Sequence, residues 1–210
     1  MATSLRVTKL EIPEVLLIQG VRYSDERGWF SVTYNQKAYS DVGIIAKFCQ
    51  ENLSLSRVVF TVRGLHYQRP PKTQAKLIHV LSGRILDVAV DLRKDSATFG
   101  HHVAVELSAE NGNQLYIPRG FAHGFITRAP DTLVGYKVDE EYAANLEGGI
   151  AWSDPALGIN WGSGSNPIVI SDKDRILPRF GEIESPFRLQ PRTHDRHVRS
   201  GPRSRARDSA

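Results

Sequence analysis

Lys76-Leu-Ile-His-Val-Leu-Ser-Gly-Arg-Ile-Leu-Asp-Val-Ala-Val-Asp-Leu92 sets two runs of aliphatic and β-branched side chains on either side of Ser82-Gly83. Each run has strand length, and a glycine between two such runs reads as a hairpin with a tight turn. Working outward, similar short runs recur between Gly, Pro and Asn punctuation at Val15 to Tyr23, Trp29 to Tyr34, Lys47 to Ser54, Val58 to Tyr67, His101 to Leu107, Gln114 to Ile117, His123 to Thr127 and Thr132 to Val138. Helical periodicity is confined to Gln36 to Val42 and Ser171 to Leu177, the second opening on the capping-box pattern Ser171-Asp-Lys-Asp174. Many short strands and little helix predict an all-β chain, a double-sheet jelly roll with a few short helices.

The 210 residues fit one domain, with 40% hydrophobic content to fill its core. The aliphatic stretch Val15-Leu-Leu-Ile18 is far too short to span a bilayer or act as an export signal. A single cysteine, Cys49, rules out an intrachain disulfide and a thiolate cluster. A cytoplasmic protein without membrane contact is therefore expected. The net charge of +4 raises the question of nucleic acid, but its location answers it. Residues 188–210 carry seven Arg against two Asp, a local +5 that leaves −1 for the preceding 187 residues. The segment from about Gly181 mixes Pro, Ser, Arg and His without apolar periodicity, so the expected organisation is a domain over 1–180 and an extension over 181–210. That extension lacks the interleaved aromatics of a nucleic-acid arm, and no nucleic-acid partner is expected.

Between two strand candidates lies Gly112-Asn-Gln-Leu-Tyr-Ile-Pro118-Arg-Gly120-Phe-Ala-His123, with the spacing GxxxxxPxGxxH. Pro and Gly set a turn, and His123 then points from the second strand into a barrel mouth. The spacing resembles the second cupin motif, with Thr127 in place of its usual Asn. A metal-binding cupin adds two His and a Glu from a first motif. Here the corresponding Arg63-Gly-Leu-His-Tyr-Gln68 retains one histidine, His66, and no Glu follows at the expected distance. Too few ligands converge for a metal, and none is expected. A metal-dependent oxygenase or isomerase using His66 and His123 is the lesser alternative.

An interior with His66, Lys76, Tyr136 and several Arg is equipped instead for proton transfer at carbon. An imidazole titrates near neutral pH and suits a general base, a tyrosine hydroxyl can return a proton from the opposite side, and a lysine can stabilise an enolate oxygen. That set describes epimerisation beside a carbonyl.

Several motifs in this order are specific: Asp25-Glu-Arg-Gly28, Gln50-Glu-Asn52, Arg63-Gly-Leu-His-Tyr-Gln68, Asp87-Val-Ala-Val-Asp-Leu-Arg93, Ile117-Pro-Arg-Gly-Phe-Ala-His-Gly-Phe125 and Gly149-Ile-Ala-Trp-Ser-Asp-Pro155. Through them the chain, from about Thr8 to Pro178, closely resembles the dTDP-4-dehydrorhamnose 3,5-epimerases, cofactor-free cupin enzymes of deoxysugar synthesis. The resemblance implies His66 as base, Asp174 as its carboxylate partner, Tyr136 as acid and Lys76 with His123 around the sugar. Arg27, Gln50, Asn52, Arg63, Glu147 and Lys173 would contact the nucleotide sugar, and Tyr142 would stack on the base. It further implies proton removal at carbons 3 and 5 of a dTDP-linked 4-keto-6-deoxyhexose, and a jelly-roll homodimer with strands exchanged between subunits.

Some positions depart from the family pattern. Val32 stands where an acidic residue usually meets the nucleotide, Ala75 replaces a Gly and His79 an Arg. Such changes keep open a relative that epimerises a single carbon. Simpler readings stand beside these roles. Strict alternation puts Arg63 and His66 on opposite faces, so a shared site requires a bulge, for which Gly64 is the candidate. Asp174 closes a capping box, the tyrosines pack well in strands, and Asp87 and Asp91 read as edge-strand gatekeepers.

Overall fold

The computed structural model describes residues 4–189, and within them two antiparallel sheets face each other. The six-stranded sheet runs β1 (Arg6–Lys9), β2 (Leu16–Gln19), β10 (Asn113–Ile117), β7 (Lys76–Ser82), β12 (Thr132–Val138) and β5 (Gln50–Ser56). The five-stranded sheet runs β13 (Glu147–Gly149), β6 (Val62–Gln68), β11 (Phe121–Thr127), β8 (Arg84–Asp91) and β9 (His102–Ser108). A separate hairpin pairs β3 (Tyr23–Asp25) with β4 (Gly28–Phe30), and the helices are α1 (Gln36–Asp41) and α2 (Asp172–Arg175). This is the expected jelly roll of the cupin type. Among the described residues, no helix is long and apolar enough to cross a membrane.

Alternation along the strands divides the apolar residues among three layers. Ile78, Val80, Ile85, Ala89, Phe121, Phe125 and Val134 fill the space between the sheets. On the outer face of the six-stranded sheet Leu77 and Ile18 meet Tyr39 of α1 and Ile44. On the outer face of the five-stranded sheet Leu65, Val88, Val90, Ala122 and Ile126 lie under the C-terminal segment, through Ile150, Leu157, Trp161 and Phe187.

The opening stretch folds as strands but not as the expected hairpin. β7 pairs with β10 and β12, which occupy both its edges, while β8 pairs with β11 and β9 in the other sheet. Ser82-Gly83 is therefore a corner between sheets. Gly83 has φ +79°, and a Cβ there would sit 2.3 Å from Thr132 Oγ1, so only glycine fits the corner.

Other boundaries also shift. The candidate Trp29 to Tyr34 is strand only to Phe30, Val58 to Tyr67 begins at Val62, and the short strands β1 and β13 carry too few residues to show alternation. The expected extension does not begin at 181. Ser185 Oγ donates to the Leu92 carbonyl, Arg93 and Phe187 form a parallel bridge, and Phe187 is buried edge-on against Tyr67. One apolar side chain and one hydroxyl suffice to anchor these residues, and so small a signal is not periodic. Residues 190–210, the remainder of the Arg-rich extension, lie outside the described residues.

Candidate active site

At one end of the interior the apolar filling gives way to a cavity of about 510 Å³. β6 supplies Arg63 and His66, β11 His123, β7 Lys76, β12 Tyr136 and α2 Lys173 and Asp174, all lining this one cavity. His66 and His123 are direct cross-strand partners, and the register then slips so that Phe125 faces Arg63. Two residues of β6 thus oppose one of β11, the bulge that lets Arg63 and His66 share a face. Gly64 is its pivot, with φ +110° and a would-be Cβ 2.6 Å from the His123 carbonyl oxygen.

The bulge also fixes the dyad. Gly64 N–H is freed from the ladder and donates to Asp174 Oδ2 at 3.1 Å, while His66 Nε2 lies 2.7 Å from Asp174 Oδ1. α2 comes within reach because the chain returns beside β6, with Thr61 bridging Val169. Ser171 Oγ caps the helix by accepting from Asp174 N–H, which leaves the Asp174 carboxylate for Gly64 and His66. The capping reading of this segment thus describes Ser171. Burial works against the Asp174 charge, but hydrogen bonds from His66, Gly64 and Ser171 outweigh it and hold the carboxyl below its ordinary range.

A second pair lies deeper. His123 Nε2 is 2.7 Å from Asp87 Oδ1, with His123 8% exposed and Asp87 not at all. Burial holds the His123 imidazole below its usual range, Lys76 and His66 add to that, and Asp87 only partly opposes it. Burial likewise pushes the Lys76 ammonium down to about 8, against the attraction of Asp87 and Glu147. The Tyr136 phenol is raised by burial, so it holds its proton at neutral pH.

Around the mouth runs a chain of polar contacts. Lys173 Nζ and the Tyr142 hydroxyl both reach Glu147 Oε2, at 2.6 and 2.8 Å. Tyr142 N–H donates to Gln50 Oε1, and Gln50 Nε2 donates to Asn52 Oδ1, whose residue is the cross-strand partner of Tyr136. Burial alone would raise the Glu147 carboxyl, but Lys173 and Tyr142 hold it lowered.

Gln50, Asn52, Tyr142 and Glu147 do not line the cavity themselves and join it through these contacts with Lys173, whereas Arg27 lies apart from the chain of contacts as well. It sits in the exposed β3–β4 turn, its guanidinium 2.5 Å from Asp25, and does not line the cavity. His79 does not shape the cavity either: it faces away from the interior and packs over Gly135, and burial lowers its imidazole.

Two residues escaped the sequence reading. Asp87 is no edge gatekeeper, since β8 is flanked by β11 and β9; Asp91 is equally buried and binds Arg93 and Thr98. The signal lay in β8 itself, whose alternate positions are apolar in both phases, so any carboxylate there is buried and needs a partner. Ser54, from β5, lines the cavity, and its hydroxyl is one of two buried side-chain polar atoms without a hydrogen-bond partner among the described residues. Among those residues, no three His, Cys, Asp or Glu side chains are grouped to hold a metal ion.

A jelly-roll barrel whose cavity brings histidine, lysine and tyrosine side chains together from two facing sheets has the architecture of a cupin-type epimerase. The family model for dTDP-4-dehydrorhamnose 3,5-epimerase matches residues 9–182. The chain belongs to this family of isomerases. It is 46% identical over 181 residues to the dTDP-4-dehydrorhamnose 3,5-epimerase of Shigella flexneri, covering 86% of this chain and 98% of that one. Among solved structures, the Bacillus anthracis dTDP-4-dehydrorhamnose 3,5-epimerase with TDP and pyrophosphate bound superimposes with a TM-score of 0.81 at 45% identity, over 84% of this chain and 99% of that one. The Legionella pneumophila dTDP-6-deoxy-D-glucose-3,5-epimerase in complex with dTDP-4-keto-L-rhamnose gives 0.85 at 38%, over 90% and 100%.

Proposed function

We propose that the chain converts dTDP-4-dehydro-6-deoxyglucose into dTDP-4-dehydrorhamnose by inverting carbons 3 and 5 of the sugar without a cofactor. The observation that carries this reading is the placement of His66 and Tyr136. His66 stands on the five-stranded sheet and Tyr136 on the six-stranded sheet, and both line one cavity. A hexose ring lying between the sheets has the base on one face and the acid on the other, as inversion requires.

With His66 Nε2 turned to Asp174, Nδ1 is the basic nitrogen. It removes the proton from a carbon next to the 4-keto group, the electron pair moves into the carbonyl to give an enolate, and Lys76 balances the charge on its oxygen. Tyr136 returns a proton from the other face; His66 then loses its proton to solvent and Tyr136 regains one from it, and the sequence repeats at the second carbon. Asp174 stabilises the imidazolium in between. Arg63 and Lys173 suit the diphosphate, Tyr142 suits stacking on the thymine, and Gln50, Asn52, His123 and Glu147 are its remaining polar contacts.

The same reading includes a cytoplasmic homodimer. Arg27 lies on a hairpin whose Trp29 and Phe30 are 57% and 59% exposed, and Leu53 on the outer face of β5 is 65% exposed. Apolar surface of this kind favours burial against a second copy, and a hairpin carried across brings Arg27 to the other copy's cavity.

The test is proton NMR in D2O with dTDP-4-dehydro-6-deoxyglucose. Deuterium enters at carbons 3 and 5 with the wild type, exchange survives chelation, and His66→Ala abolishes it. A wild type that exchanges neither carbon refutes the reading, and exchange at one carbon alone reduces it to a single-carbon epimerase.

A further inference from the structure

Asp87 presents a problem the reaction as described leaves unsolved. Its carboxylate is wholly buried, Oδ1 is engaged by His123, and Oδ2 has no hydrogen-bond partner. A buried carboxylate in this state is costly unless positive charge stands nearby. His123 is poorly suited to supply it, because burial, with Lys76 beside it, holds the imidazole below its usual range. This partner of Asp87 lines the cavity together with Lys76, which comes from the opposite sheet and whose charge acts on both residues.

We propose that Asp87 is the internal counter-ion of Lys76, a positioning residue that keeps the enolate-stabilising ammonium charged while its other oxygen fixes the tautomer of His123. This rests on the epimerase reading of the cavity. The groups around Lys76 leave Asp87 the principal candidate. Arg63, His66, His123 and Lys173 are cationic or neutral, Tyr136 holds its proton, and Asp174 is committed to His66 and Gly64. Glu147 also favours the ammonium, but less than Asp87 does, and its carboxylate is engaged by Lys173 and Tyr142. The arrangement has a chemical logic. A lysine near neutrality responds strongly to charge forming on a nearby oxygen, whereas a direct ion pair with Asp87 would hold its protons away from the substrate.

The test is the pH profile of kcat/KM for wild type, Asp87→Asn and His123→Asn, read by deuterium incorporation and product formation. In the wild type the alkaline limb marks loss of the Lys76 proton. Asp87→Asn moves that limb down by about one pH unit or more, so its deficit grows between about pH 6.5 and 8.5. His123→Asn retains the carboxylate and keeps the limb in place whatever its effect on the plateau. A deficit in Asp87→Asn that is constant across pH reports a merely structural role and overturns the proposal. So does a limb that falls in His123→Asn, which decides the matter even where Asp87→Asn does not fold. A wild type without exchange at either carbon refutes the epimerase reading instead, which separates the two failures.

Discussion

Asp174→Asn isolates the electrostatic contribution of the dyad, because it preserves the size of the side chain and one acceptor oxygen. In the resting enzyme that oxygen can serve either His66 Nε2, now 2.7 Å from Oδ1, or Gly64 N–H, 3.1 Å from Oδ2, but the amide's NH2 then faces the other donor. The larger loss comes when His66 takes a proton. The centres of charge of imidazolium and carboxylate lie about 4 Å apart, which at an effective dielectric near 20 is worth about 4 kcal/mol. At 1.36 kcal/mol per decade that predicts a fall in kcat of about 10³. Since the interaction forms only as the proton moves, KM should stay within about threefold, and deuterium incorporation should slow by the same factor as turnover. Initial rates by NMR in D2O give both numbers. A loss under tenfold, or a raised KM at unchanged kcat, refutes the reasoning. The variant also has a stability signature. The folded Asp174 carboxyl lies below its ordinary value, so its contribution is present above the unfolded value of about 4 and disappears as pH falls through the folded one. The wild type should therefore melt higher than Asp174→Asn at pH 7, with the gap closing in acid.

Gly64→Ala forces a Cβ to within 2.6 Å of the His123 carbonyl oxygen and 2.7 Å of Gly124 Cα, both backbone, at a φ of +110°. It should cost about 3 kcal/mol or more in urea unfolding, and a loss below 1 kcal/mol, about the scale of ordinary surface changes, would show that β6 and β11 part easily. Tyr136→Phe removes the acid and spares the base, so deuterium exchange should continue while net inversion falls by about 10²; equal loss of both would place Tyr136 elsewhere in the reaction. Ending the chain after Leu189 should leave kcat/KM within about twofold, whereas Phe187→Ala should destabilise by about 3 kcal/mol, because Phe187 is buried on Tyr67. A full loss of activity on truncation would give residues 190–210 a role in the reaction.

Single-strand features were legible in the sequence, and relations between strands were not. Lys76–Ser82 and Arg84–Asp91 announce themselves by composition, yet nothing in them says that β10 and β12 take both edges of β7 and send β8 to the other sheet. The bulge at Gly64 was recoverable, because Arg63 and His66 cannot share a face without it. Asp174 lies 108 residues from His66 and is joined to it only through the return of the chain beside β6; family resemblance supplied the pairing that no local pattern encodes. Arg27 shows the opposite limit. Its motif is plain in the sequence, but a single chain leaves it outside the cavity.

The same two residue types at the same 2.7 Å separation form two His–Asp pairs whose histidines line one cavity, and physical chemistry distinguishes their roles. The His66 side chain is 30% exposed and its carboxylate is fixed by a backbone N–H and a hydroxyl-capped helix, so the proton it gains has a prepared counter-charge and an open path to substrate. The His123 side chain is 9% exposed beside Lys76, where a second positive charge is opposed by burial and by the ammonium alike. The motif that marks the barrel most visibly, GxxxxxPxGxxH, thus ends in the histidine less suited to be the base. His66→Asn should accordingly abolish exchange at both carbons, while His123→Asn should slow it and leave both carbons exchanging. Exchange lost at one carbon in each variant would instead divide the two protons between the two dyads, and NMR resolves the two positions in a single experiment.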